Sequence, residues 1–220
     1  MSADPLPSNG NSLVLSYLAL RKAIGIIGIA LPFALAIGKW ILEAPGLETS
    51  ISAYYYSVMR DVFVGSLCAI AMFLMSYRGY EKVDAIAGRL ACAFAIGTAL
   101  FPTTPDVNAT AHDRVIGALH LTFAALFFLT LAFFSLRLFR KTSPTRAPTP
   151  QKLKRNMVYT VCGYTIIACL IAIAIVKGVL KGDESVMRLD PVFWLEAIAI
   201  VAFGFSWFTK GEAILADPGT

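Results

Sequence analysis

Three ionisable side chains stand inside otherwise apolar stretches: Asp61 in RDVFVG, His120 in GALHLTF and Glu196 in FWLEAIA. Arg60 sits directly before Asp61. A charge within lipid is costly, so such residues pair with one another or mark a site. Carboxylates next to a cation and a histidine suit ligand capture, proton transfer or acid–base chemistry. We therefore expect Asp61, His120 and Glu196, with Arg60 supplying positive charge, to line an outward-facing polar cavity.

Each of these residues also has a plainer role. Asp61 suits the positive N-terminal end of a helix. His120 can hydrogen-bond a neighbouring helix. Asp113 and Thr110 have the spacing of a capping box, and His112 suits an exposed interfacial position. Tyr54, Tyr55 and Tyr56 read as an interfacial aromatic belt. Glu196 resists such a reading, because Leu195 and Ala197 flank it in a wholly apolar helix.

Metal chemistry finds little support. The only two histidines, His112 and His120, are eight residues apart, or ~12 Å along a continuous helix. Both nitrogens would have to lie within ~2.1 Å of one zinc ion. No HExxH, GxSxG, P-loop or dinucleotide fingerprint occurs, and no cofactor is expected. The cysteines Cys68, Cys92, Cys162 and Cys169 lie in apolar runs and read as small packing residues.

The elements that must position these groups are membrane helices. Of the 220 residues, 57% are hydrophobic and 15% charged, against roughly 25% charged in soluble domains. A span needs about 20 mainly apolar residues. Six segments qualify, at about 23–42, 56–77, 85–101, 116–139, 158–176 and 191–208. The expected fold is an all-α bundle of six transmembrane helices. Residues 1–22 form a polar or interfacial segment, 23–210 a single membrane domain and 211–220 a tail.

Local signals refine the spans. Pro32 should kink the first. Asp190 suits an N-cap, Pro191 the first helical turn and Gly211 a stop. Trp194 and Trp207 lie thirteen residues apart, or ~20 Å along a helix, placing one at each interface. Gly25 and Gly28 offer a close-approach surface for a second helix. The proline-containing segment 140–155 reads as a solvated basic loop.

Basic residues set the orientation. One set of loops holds Arg21, Lys22, Arg78, Lys82, Lys210 and the seven basic residues from Arg137 to Arg155. The other set holds only Lys39, Arg60, Arg114, Lys177, Lys181 and Arg188. The positive-inside rule makes the first set, and both termini, cytoplasmic. The same clustering accounts for the net charge of +5 without nucleic acid. All the unexplained polar residues then fall in the outer half of the membrane.

The stretches SISAYYYSVMRDVFVG, LMSYRGYE, ALFPTTP and HDRVIGALHLTFAALFF resemble a group of bacterial six-helix membrane proteins of unknown function. These are distantly similar to the DRAM and Frag/Sfk membrane family. The resemblance covers roughly residues 20–210 and implies a multi-pass protein of the bacterial inner membrane. It marks Ser52, Tyr55, Arg60, Asp61, Phe101, Pro102 and His120 as motif positions, which adds Ser52 and Tyr55 to the cavity candidates. Membrane hydrolases of the alkaline ceramidase type use three histidines and an aspartate on zinc; this chain lacks their late HxxxH.

Three functional expectations follow. The first is a non-enzymatic protein that binds a lipid or small molecule, or serves as a subunit among other membrane proteins. The second is proton-coupled movement of a small solute, although no internal repeat supports an inverted-repeat transporter. The third is a lipid hydrolase within the membrane. Membrane lipids are the expected surroundings in every case.

Overall fold

The structure is a computed structural model that describes residues 9–77, 79, 81–142, 147–180 and 182–215, with side chains from Tyr17 onward. The described residues form helices joined by loops and turns, with no strand among them. The helices are α1 (Asn9–Leu42), α2 (Arg60–Met75), α3 (Lys82–Leu100), α4 (Ala111–Phe133), α5 (Pro150–Ile175), α6 (Glu184–Met187) and α7 (Pro191–Lys210). A 3-10 turn, Ser52–Tyr56, precedes α2. Two π-helical turns, Phe134–Leu138 and Val176–Leu180, extend α4 and α5.

Among the described residues, five stretches are long and apolar enough to cross a membrane: Tyr17–Leu42, Lys82–Leu100, Ala111–Leu138, Pro150–Leu180 and Pro191–Lys210. The 16 residues of α2 rise ~24 Å, short of the ~30 Å hydrocarbon core. This is an architecture of several apolar helices compatible with a multi-pass membrane protein.

The long helices form a closed ring. Each of α1 to α5 packs on its neighbour in the chain, and α7 closes the ring between α5 and α1. Lipid does not drive apolar helices together, so close backbone approach and polar pairs must hold them. The α1–α7 seam uses the first device. A methyl group at Gly25 would lie 2.6 Å from the Phe208 nitrogen, and one at Gly204 2.6 Å from that of Ile29. Only glycine admits such contact. The second device links the π-helical turn after α4 to α7, where Ser135 and Ser206 share a buried hydroxyl–hydroxyl hydrogen bond of 2.8 Å.

Helix ends follow local chemistry. Thr110 and Asp113 form the expected capping box at α4: the Asp113 N–H donates to Thr110 Oγ1 at 3.2 Å, and the Thr110 N–H to Asp113 Oδ2 at 2.9 Å. Pro32 lies inside α1 without ending it.

Four expectations need correction. Helix α5 begins at Pro150, so residues 150–155 are not loop; Thr149 caps it by accepting the Lys152 N–H at 3.1 Å. Asp190 precedes α7, but its backbone is left-handed (φ 46°) and its side chain caps nothing. Trp207 does not face outward as a belt residue would. It is buried with Tyr77, Phe134, Phe139 and Phe203, its ring 5.0 Å from that of Phe139, because α7 turns that face to the centre of the ring. Tyr54 is likewise buried against Phe193 rather than in a belt.

Two ends of the ring can be distinguished. The proximal end carries Arg21, Lys152 and Lys210. The distal end carries the 3-10 turn and the start of α4 and α7.

Candidate functional site

A cleft of about 680 Å³ opens at the distal end. Its walls come from the α1–α2 loop, the α3–α4 loop, α4, the end of α5 and the start of α7. Polar tethers hold the rim. Lys39 pairs with Glu48 at 3.0 Å, fixing the α1–α2 loop to α1. Thr49 Oγ1 donates to Asp106 Oδ2 at 2.9 Å, and the Tyr56 hydroxyl to the Thr103 carbonyl at 2.6 Å, joining that loop to the α3–α4 loop. Gly117 lets the second loop approach α4, since a methyl group there would come within 2.7 Å of the Thr104 nitrogen.

His120 is buried at the base of the cleft. Its Nδ1 lies 2.6 Å from the Phe101 carbonyl oxygen and 3.1 Å from that of Thr98. Carbonyls only accept, so Nδ1 carries a proton and donates. The ring thereby satisfies carbonyls left over at the C-terminal end of α3. Its remaining hydrogen-bonding atom is Nε2, a proton acceptor in the neutral ring.

Glu196 faces the 3-10 turn. The Ser52 N–H, at the first position of that turn, donates to Glu196 Oε2 at 3.2 Å. A carboxylate at a helix N-terminus meets free N–H groups and the positive end of the helix dipole. Below Glu196 a void of about 30 Å³ runs inward past Thr98 and Phe127 to Leu131 and Phe203, space on the scale of a single water.

Of the six candidates, the structure brings His120, Glu196 and Ser52 together on one cleft. Arg60, Asp61 and Tyr55 lie elsewhere. Arg60 stacks 4.5 Å over the Tyr55 ring and donates to its hydroxyl at 2.9 Å. Asp61 is exposed on the first turn of α2. The cations at the cleft are instead Lys177 and Arg114. Lys177 stands in the π-helical turn that ends α5. Such turns carry an extra residue and recur at functional sites, yet nothing in VKGVL announces one.

The rim also carries carboxylates. Asp190 lies near Asp106, and its carboxyl is pushed above the usual carboxylate range, by burial first and by the Asp106 charge second. Among the described residues no three His, Cys, Asp or Glu side chains group closely enough to hold a metal ion.

The fold and cleft define a class by geometry alone: an all-helical chain, five of its helices fit to cross a membrane, with a polar cleft at one end. No known protein family, curated protein or solved structure matches the chain.

Proposed function

We propose that the protein is a six-pass protein of a bacterial inner membrane that binds a small polar molecule or a lipid headgroup in its distal cleft. The short α2 serves as the sixth span. Both termini are cytoplasmic, so the cleft opens outward. The basic residues at the proximal end support that orientation through the positive-inside rule. The resemblance to bacterial six-helix membrane proteins agrees with it.

One observation carries the binding reading: His120, Glu196, Lys177 and Arg114 share a cleft of about 680 Å³. That volume lies within the ~300–1,000 Å³ common for small-molecule sites. Lys177 and Arg114 offer charge to an anionic group, while Glu196 and His120 Nε2 offer acceptors to a hydroxyl or ammonium group. Solute transport would need a water route to the other face. The void under Glu196 ends instead on Phe203, and beyond it Trp207, Phe134 and Phe139 are packed ring on ring.

The test is retention. Wild type, Glu196→Gln, His120→Gln and Lys177→Ala are purified in mild detergent, and bound small molecules and lipids are extracted and measured by mass spectrometry. Wild type should retain a species that each variant loses by about tenfold, equivalent to ~1.4 kcal/mol. Identical extracts from all four proteins would end the reading, leaving the protein as a subunit whose cleft meets a partner.

A further inference from the structure

The distal cleft presents opposite charges that do not meet. Lys177, Arg114, Glu196 and Asp106 all line it. Among the described residues, Lys177, Arg114 and Glu196 make no ion pair. Yet the Lys177 charge acts on both Glu196 and His120. Asp106 is engaged separately, by the Thr49 hydroxyl. Cations of the proximal end differ. There the Arg21 guanidinium lies 4.3 Å over the Tyr17 ring, and Lys152 Nζ donates to the Phe139 carbonyl at 2.7 Å.

The charges of the cleft are also ordered by depth. His120 is buried and Glu196 half-buried, whereas Lys177 and Arg114 are exposed. The base therefore offers acceptors. These are the Glu196 carboxylate, which takes the Ser52 N–H at 3.2 Å and has lone pairs to spare, and His120 Nε2 in the neutral ring. The rim offers cationic donors. A ligand that fills the cleft thus enters with a donor group leading and an anionic group trailing. The lining already balances two cations against two carboxylates. A ligand with both charges keeps that balance, whereas an unmatched charge is costly away from water.

The leading group can be specified further. Among the described residues, no Phe, Tyr or Trp ring lines the cleft. Such rings are what recognises a quaternary ammonium. A primary ammonium instead carries N–H donors that suit a carboxylate and an imidazole nitrogen. The trailing group must reach the rim. In an α-amino acid the two charges flank a single carbon, while in phosphoethanolamine an ethyl arm and an ester oxygen separate them. Phosphate oxygens also accept well from arginine and lysine.

We infer that the cleft takes a phosphoethanolamine group, its ammonium at Glu196 and His120 and its phosphate at Lys177 and Arg114. This rests on the binding role proposed for the cleft and names its ligand. A phosphatidylethanolamine headgroup and free phosphoethanolamine share the chemistry.

The experiment uses delipidated full-length protein in neutral detergent. Native mass spectrometry follows titration with phosphatidylethanolamine, phosphatidylcholine and phosphatidylglycerol of identical chains. Calorimetry makes the parallel comparison of free phosphoethanolamine, phosphocholine and serine. The ethanolamine form should bind about tenfold more tightly than the choline form, which keeps the phosphate and loses the N–H donors. Binding in the first series alone assigns a headgroup, and binding in the second assigns a soluble ligand; either supports the inference. In Glu196→Gln the preference for ethanolamine should shrink to about twofold. Lys177→Ala should weaken the ethanolamine and choline forms alike, by about fivefold.

Equal affinity for ethanolamine and choline forms would overturn the inference, as would binding in neither series. Tighter binding of phosphatidylglycerol or serine would overturn it too, and so would an ethanolamine preference undiminished in Glu196→Gln. Should that variant fail to fold, the wild-type comparison still decides, and Lys177→Ala, at an exposed position, locates the site. A retained species that the cleft variants lose, but that carries no phosphoethanolamine, would leave the binding role standing and remove this inference alone.

Discussion

The two ends of the helical ring treat polar residues in opposite ways. At the proximal end charges are folded onto rings and carbonyls around a filled centre. Tyr77, Phe134, Phe139, Tyr159 and Trp207 occupy the axis, and Lys141 closes a buried carboxylate. At the distal end the loops are tied at the rim and leave a cleft between them. The difference teaches where each end places its constraints. A filled end fixes the helices relative to one another; an end held only at its edge keeps its donors and acceptors available for something else.

The comparison can be broken most forcefully at Trp207. It is fully buried, with ring contacts to Tyr77, Phe134, Phe139 and Phe203. Trp207→Ala should cost ~3–5 kcal/mol through lost packing and an unfilled cavity. The measurement is thermal unfolding in detergent, with Lys177→Ala at the open end as the control. Lys177 is exposed, and its removal should change stability by no more than about 0.5 kcal/mol. Comparable losses at both positions would erase the contrast between a filled and an open end.

The next effect belongs to Lys141. Its ammonium lies 3.1 Å from Asp84 Oδ2 and 3.2 Å from Glu81 Oε2, and Asp84 is wholly buried. Burial opposes the lysine's charge, but the hydrogen bonds to Asp84 and Glu81 outweigh it and hold the group above its ordinary range. Lys141→Met strands the Asp84 carboxylate, and because the lysine is partly exposed the loss should be ~1–3 kcal/mol, below that of a fully buried pair. The native state holds this proton more tightly than the unfolded chain. The contribution is therefore complete below the lysine's ordinary pKa and disappears as pH rises through the raised one. Asp84→Asn/Lys141→Met should recover part of the loss.

Much of this arrangement was legible along the chain, and what was not has a common cause. Apolar runs announce helices, and the Thr110–Asp113 box could be read because its partners are three residues apart. Thr149 and Pro150 carry an equally local start signal for α5. The basic residues that follow them read as loop, although lysine and arginine are good helix formers. The Ser52–Glu196 hydrogen bond joins residues 144 apart, and no spacing rule reaches that far. Trp207 could be assigned a depth but not a direction, because direction depends on how α7 is rotated in the ring. Arg60 and Asp61 do open a helix, α2. Their helix turns them to the outside, and a π-helical turn supplies Lys177 in their stead.

The smallest effect sharpens the view of the distal end as open and only lightly constrained. Asp190 has a raised carboxyl because burial, and then the charge of Asp106, disfavour its ionised form. The native state thus binds this proton more tightly than the unfolded chain does. Stability contributed at this position falls as pH rises from the ordinary carboxylate pKa through the raised one. At neutral pH the ionised Asp190 works against the fold, so Asp190→Asn should raise the unfolding temperature slightly. Below the ordinary carboxylate range both side chains are neutral, and the difference should vanish. Asp106→Asn should produce part of the same gain, by removing the second cause, but it also alters the hydrogen bond that Asp106 accepts from Thr49. A pH series of unfolding temperatures for wild type and Asp190→Asn decides the matter. A gap that stays constant, or widens towards acid, would mean that Asp190 is engaged by a partner rather than facing an open rim.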